Sequence, residues 1–173
     1  KFNLNQALVT KYNGEWIGTS TEEYIAKANK ISRALLRMGV NPNDKVAIIS
    51  TSNRTEWNIM DIGILQIGAQ DVPIYPTISE EEYAYVLNHS ESKYCFVSDE
   101  EVLAKVNKIK DQVPSLQEVY SFDQIMNTKN WSELLELGED ESNQGEVDRI
   151  KDSISEDDLA TIIYTSGTTG RPK

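Results

Sequence analysis

The sequence has one cysteine and one histidine among its 173 residues. A lone cysteine, Cys95, cannot close an internal disulfide, and its apolar neighbours Tyr94, Phe96 and Val97 make it a buried strand residue rather than a catalytic thiol. Any histidine-based triad or metal site would rest entirely on His89. Its neighbours Asn88, Ser90 and Glu91 mark a helix end, where a capping or surface role is the ordinary reading. No metal-ligand spacing is present. Basic residues are also scarce: 17 Lys and Arg stand against 28 Asp and Glu, a net charge of −11 with no basic stripe, which argues against nucleic acid as a partner. Nothing approaches the run of about 18 apolar residues that spans a bilayer, and no charged-then-apolar leader is visible. Such a composition is expected of a soluble cytoplasmic protein whose membrane contact, if any, is peripheral and made elsewhere.

What is present is an alternation of strand and helix signals, the pattern of an α/β fold with a mostly parallel sheet flanked by helices. Ser20 and Glu23 form a capping box ahead of a helix with Tyr24, Ala28, Ile31, Leu35 and Met38 on one face, stopped by Gly39. The run Val46-Ala47-Ile48-Ile49 reads as a strand. Asn53 with Glu56 is expected to cap a helix that is apolar almost all round, from Trp57 to Ile67, and hence deeply buried. Pro73, lacking a backbone donor, puts the strand around Val72 to Tyr75 at an edge or makes it irregular. Ser79 and Glu82 open a short helix with Tyr83, Val86 and Leu87 inward, and a strand through Tyr94 to Val97 follows. Ser98 and Glu101 then suggest a further capping box for a helix carrying Val102, Val106, Ile109 and Val113, closed by Pro114. After a strand through Val119 and Tyr120, residues 127–158 are acid-rich and read as helical excursions on the surface, with Glu139, Asp140 and Glu141 as a solvated face.

The densest chemistry lies at residues 164–173, YTSGTTGRPK, directly after the β-branched run Leu159-Ala160-Thr161-Ile162-Ile163-Tyr164, which reads as a buried strand. Gly167 and Gly170 let backbone amides approach an oxyanion, Thr165, Ser166, Thr168 and Thr169 supply hydroxyl donors, and Lys173 adds a point charge. The string departs from the GxxxxGK[ST] loop, because no Gly-Lys-Ser/Thr ending exists and Pro172 precedes the lysine. From residue chemistry alone, a phosphate cradle and a plain polar turn both stand.

This string resembles the phosphate-binding signature of the adenylate-forming (AMP-binding) ligases. The segment Gly68-Ala69 with Val72-Pro73-Ile74-Tyr75-Pro76-Thr77 is similar to one these enzymes carry upstream. The stretches Val119 to Asp123, Trp131 to Leu135 with Gly138, and Asp157 to Thr161 look most like long-chain fatty acid CoA ligases. The resemblance implies that residues 1–173 are the N-terminal α/β portion of an AMP-binding domain ending at its phosphate loop. The rest of that domain, and a C-terminal domain, would lie outside the chain, leaving it inactive alone. It further implies ATP, Mg2+ and coenzyme A, with a fatty acid carboxylate attacking the α-phosphate, pyrophosphate leaving, and coenzyme A capturing the acyl adenylate. Thr165, Ser166, Gly167, Thr168, Thr169, Gly170 and Lys173 would hold the β and γ phosphates, with Thr165 also contacting Mg2+; no catalytic residue is assigned. Tyr75 and Thr77 would near the ligand only if their strand ends beside the loop, and Tyr75 is expected to pack instead. Other readings are adenylation of a different carboxylic acid, a nucleotide-binding module without acyl chemistry, and an acidic interaction domain whose loop is only a turn.

Overall fold

Side chains alternate between the two faces of a β-strand, and in this chain that period of two builds two separate cores. The computed structural model describes residues 3–165. Four strands, β3 (Lys45–Ile49), β4 (Gln70–Ile74), β5 (Tyr94–Val97) and β6 (Glu118–Ser121), form a parallel sheet in the order β4-β3-β5-β6. Val46, Ile48, Tyr94, Phe96 and Tyr120 point to one face, while Ala47, Ile49, Val72, Cys95, Val97 and Val119 point to the other. Near-continuous apolar strands are therefore explained by burial on both sides.

The first face is covered by α1 (Thr21–Arg37) and α2 (Thr55–Leu65), and the second by α3 (Glu80–Ser90) and α4 (Glu100–Ile109). A single turn of tighter helix, Lys110–Gln112, extends α4 as far as Val113, just before Pro114. The capping boxes at Ser20/Glu23 and Ser79/Glu82 are both formed. Two other expected caps differ. Arg54, not Asn53, is the cap residue of α2 and makes no side-chain cap bond; Thr10 Oγ1 accepts from the Thr55 N–H instead, at 3.1 Å. For α4 the cap is Asp99, whose carboxylate accepts from the Val102 N–H, while Ser98 Oγ donates to Asp99. Nor is α2 deeply buried all round: Ile59, Met60 and Ile64 are, but Trp57, Ile62 and Leu65 are half-buried.

Thr10 belongs to a hairpin, β1 (Leu8–Tyr12) and β2 (Glu15–Thr19), that turns at Asn13-Gly14 with φ of 50° and 88°. Positive φ at both central residues is the tight turn that asparagine and glycine favour. At the other end, α5 (Ser132–Leu137) and α6 (Gln144–Ser153) pack on α1 rather than forming a separate unit. Leu134 and Val147 reach its core, and the nearly buried Arg33 donates to the Gly138 carbonyl at 2.8 Å. The acidic cluster is solvated yet paired with α1: Glu139 with Lys30, Asp140 with Arg37 at 2.9 Å, and Glu141 with Arg33 at 3.9 Å. Among the described residues no helix is long and apolar enough to cross a membrane.

Strand β4 is an edge of the sheet, as Pro73 requires, and it is regular, in register with β3 from Gln70 to Ile74. Among the described residues its outer side accepts only one further residue, a parallel bridge between Asp71 and Thr161. Asp71 N–H donates to Ala160 C=O at 3.2 Å and Ile162 N–H donates to Asp71 C=O at 3.0 Å. On that side the next donor would come from residue 73, and proline has none, so the ladder stops there. The expectation of a buried strand over residues 159–164 is accordingly corrected. Leu159 and Ile163 are 58% and 57% exposed, and only Ile162 and Tyr164 pack on the second core.

Candidate functional site

The strand order reverses between β3 and β5, and the crevice at the carboxyl ends of such a pair is the usual ligand position in open α/β sheets. In this chain side chains fill it. Thr51 Oγ1 donates to Asp99 at 2.8 Å, and the Thr51 N–H donates to Ser98 Oγ at 3.1 Å. Arg54 holds both carboxylate oxygens of Glu56 at 3.1 Å, Asp123 at 3.0 Å and the Ser98 carbonyl at 3.1 Å, and lies over the Phe122 ring. Burial opposes charge on Arg54 and Glu56 alike, but their mutual bonds outweigh it, raising the pKa of the arginine and lowering that of the glutamate. An arginine so saturated is a brace between β3, β5 and β6 rather than a free anion receptor.

Open space lies one strand over, beyond the carboxyl ends of β3 and β4. A cleft of about 540 Å³ is bordered by Ser50, Asn53, Trp57, Asn58, Tyr75 and Ile163, among others. A second, of about 260 Å³, lies on the opposite side of the same edge between Tyr75, Thr77, Glu82, Val86 and Tyr164. Tyr75 forms the ridge between them and is 64% exposed, so its expected packing role is overturned. Residues 161–164 run beside β4, sending Ile163 into the first cleft and Tyr164 into the second. The strand leading to Tyr75 and Thr77 runs beside residues 161–164, while the loop that the expectation for these two residues concerned lies outside the described residues.

Of the sequence-assigned site residues, Thr165 is exposed at the end of this edge segment. Ser166, Gly167, Thr168, Thr169, Gly170 and Lys173 lie outside the described residues. Cys95 is a core residue, its thiol pushed up to about 12 by burial. His89, exposed in the last turn of α3, is no bystander: Tyr164 lies 2.7 Å from its Nδ1. Sequence reasoning missed the Arg54 brace, because Asp123 and Ser98 reach Arg54 only through the register of three strands. It also missed the His89–Tyr164 pair, for which a spacing of 75 residues offers no local signal.

A family model described as AMP-binding enzyme matches residues 4–173. The long-chain-fatty-acid–CoA ligase ACSBG2 of Xenopus laevis is 30% identical over all of this chain and 24% of its own length. The long-chain-fatty-acid–CoA ligase FadD15 of Mycobacterium bovis is 35% identical over 93% of this chain and 26% of its own length. The chain thus spans about a quarter of the length of these curated relatives. In fold it is similar to the red-emitting luciferase of Phrixothrix hirtus, with a TM-score of 0.77 and 22% identity over 98% of this chain and 32% of that one.

Proposed function

The chain belongs to the AMP-binding enzyme family of adenylate-forming ligases, and from that membership we propose that the protein activates a long-chain fatty acid with ATP and passes it to coenzyme A. The fatty acid carboxylate attacks the α-phosphate, pyrophosphate departs, and the coenzyme A thiol displaces AMP from the acyl adenylate. Because the substrate supplies its own nucleophile, the protein's task is orientation and the offsetting of charge on the phosphates. The hydroxyls of Thr165, Ser166, Thr168 and Thr169 and the backbone at Gly167 and Gly170 serve the β and γ phosphates, and the Lys173 ammonium meets the charge that builds as pyrophosphate leaves. Mg2+, when bound, offsets negative charge on the phosphates. Among the described residues no group of three or more His, Cys, Asp or Glu could hold a metal, and the exposed Thr165 hydroxyl is a single oxygen donor. That donor set suits a cation carried chiefly by substrate phosphates.

The observation that supports the reading is the parallel bridge of Thr161 to Asp71, which brings Thr165 out at the carboxyl edge of the sheet where both clefts open. Fatty-acid identity rests on the likeness to the two ligases. The test is ATP–pyrophosphate exchange by the full-length protein with acids of graded chain length. Exchange that rises with long-chain acids is expected. Exchange supported only by aromatic, amino or short acids would overturn the acyl assignment, and none with any acid would overturn the reaction.

A further inference from the structure

We propose that His89 is a positioning residue that tethers the root of the phosphate loop through Tyr164. This rests on reading the residues after Tyr164 as that loop. Main-chain pairing with the sheet ends early: among the described residues, the last such bond runs from Ile162 N–H to Asp71 C=O, because Pro73 offers no donor. Beyond that point the chain is held by side chains. Tyr164 Oη lies 2.7 Å from His89 Nδ1, with the two rings edge-on at 5.6 Å and 89°. Tyr85, one helical turn before His89, stacks on the imidazole at 5.6 Å and 25°, fixing the ring's plane.

Burial, with Tyr85 adding to it, raises the Tyr164 phenol, which keeps its proton at neutral pH. A phenol that keeps its proton can donate to a bare Nδ1 or accept from an Nδ1–H, so the contact is made by either imidazole tautomer. The next residue in the chain is Thr165, the first hydroxyl of the loop, so the orientation of Tyr164 sets where the loop begins. Helix α3 does not need this contact to stay folded, since Tyr83, Val86 and Leu87 anchor it in the second core while His89 is exposed.

Two readouts on the full-length protein test the tether, using His89→Ala, His89→Asn, Tyr164→Phe and the His89→Ala/Tyr164→Phe double variant. Hydrogen–deuterium exchange of residues 161–165 is expected to quicken about fivefold in His89→Ala and in Tyr164→Phe, the factor a single net hydrogen bond commands. His89→Asn, which keeps a polar group where Nδ1 stood, is expected to restore it. Unchanged exchange in His89→Ala would overturn the tether whatever the protein's activity. In pyrophosphate exchange, turnover is expected to fall about fivefold to tenfold with the KM for the acid unchanged, the double variant being no worse than either single one. Unaltered turnover, or losses that multiply in the double variant, would overturn the positioning role. A wild-type protein without exchange activity would overturn the loop reading and the positioning role with it, while the deuterium measurement still judges the contact.

Discussion

Replacing Gly63 with alanine should destabilise the fold, although helix propensity alone says the reverse. In a helix interior alanine is favoured over glycine by about 1 kcal/mol. Gly63, however, is where α2 meets α1, and a Cβ there would lie 2.5 Å from Ile31 Cγ2, 2.7 Å from Ile31 Cβ and 3.2 Å from the Ala28 carbonyl. Ile31 is fully buried and has nowhere to swing, so the helices must part. Forcing a methyl into a packed interior costs about 1–3 kcal/mol. Separation would also stretch the 2.8 Å bond from Ser32 Oγ to the Gly63 carbonyl, worth about 1 kcal/mol. Set against the propensity gain, the net loss is about 1–3 kcal/mol. Urea denaturation followed by circular dichroism should report this as a midpoint lowered by about 0.5–1.5 M. Gly145 in α6 is the control: nothing lies within 4 Å of a Cβ there, so Gly145→Ala should hold or raise the midpoint. A Gly63→Ala midpoint equal to or above wild type would refute the close-contact argument.

Asp61 is raised to about 6, by burial first and then by the charge of Asp71. Its neutral form suits the fold, so that contribution is fully present below its unfolded value of 3.8 and is lost as pH climbs through about 6. Asp61→Asn should therefore stabilise the chain by about 1 kcal/mol at pH 8, a figure reduced for partial solvent screening, and change little at pH 3.5; equal urea midpoints at pH 8 would contradict this. For Lys173→Ala in the full-length protein, steady-state kinetics should show turnover falling more than tenfold with the KM for ATP changed far less, since on the proposed function its charge meets that of the departing pyrophosphate. Unchanged turnover would remove Lys173 from the mechanism.

Some features written within a few residues were legible in the sequence. The boxes at Ser20 and Ser79 formed because both partners lie in one turn, and the continuous apolar runs through β3 and β5 marked them as strands. Features made between distant segments were not. The α2 cap depends on Thr10 arriving from the hairpin, and the hairpin itself had a readable signal in Asn13-Gly14 between alternating residues. Residues 159–164 have a buried strand's composition, but burial depends on what covers a segment, and Pro73 limits its pairing to one bridge. Arg33 and Arg37 look like a solvated helix face until α5, α6 and the loop between them dock on it. For the candidate site, the loop chemistry read from YTSGTTGRPK falls almost wholly outside the described residues, while the clefts on either side of Tyr75 arise only from the order in which the strands are laid down.

The most direct measurement of the central claim is a single turnover of the full-length protein with ATP and a long-chain fatty acid, coenzyme A withheld, and the products identified by mass. The account predicts an acyl adenylate and pyrophosphate in equal amounts. ADP with inorganic phosphate, or ATP left untouched, would contradict it.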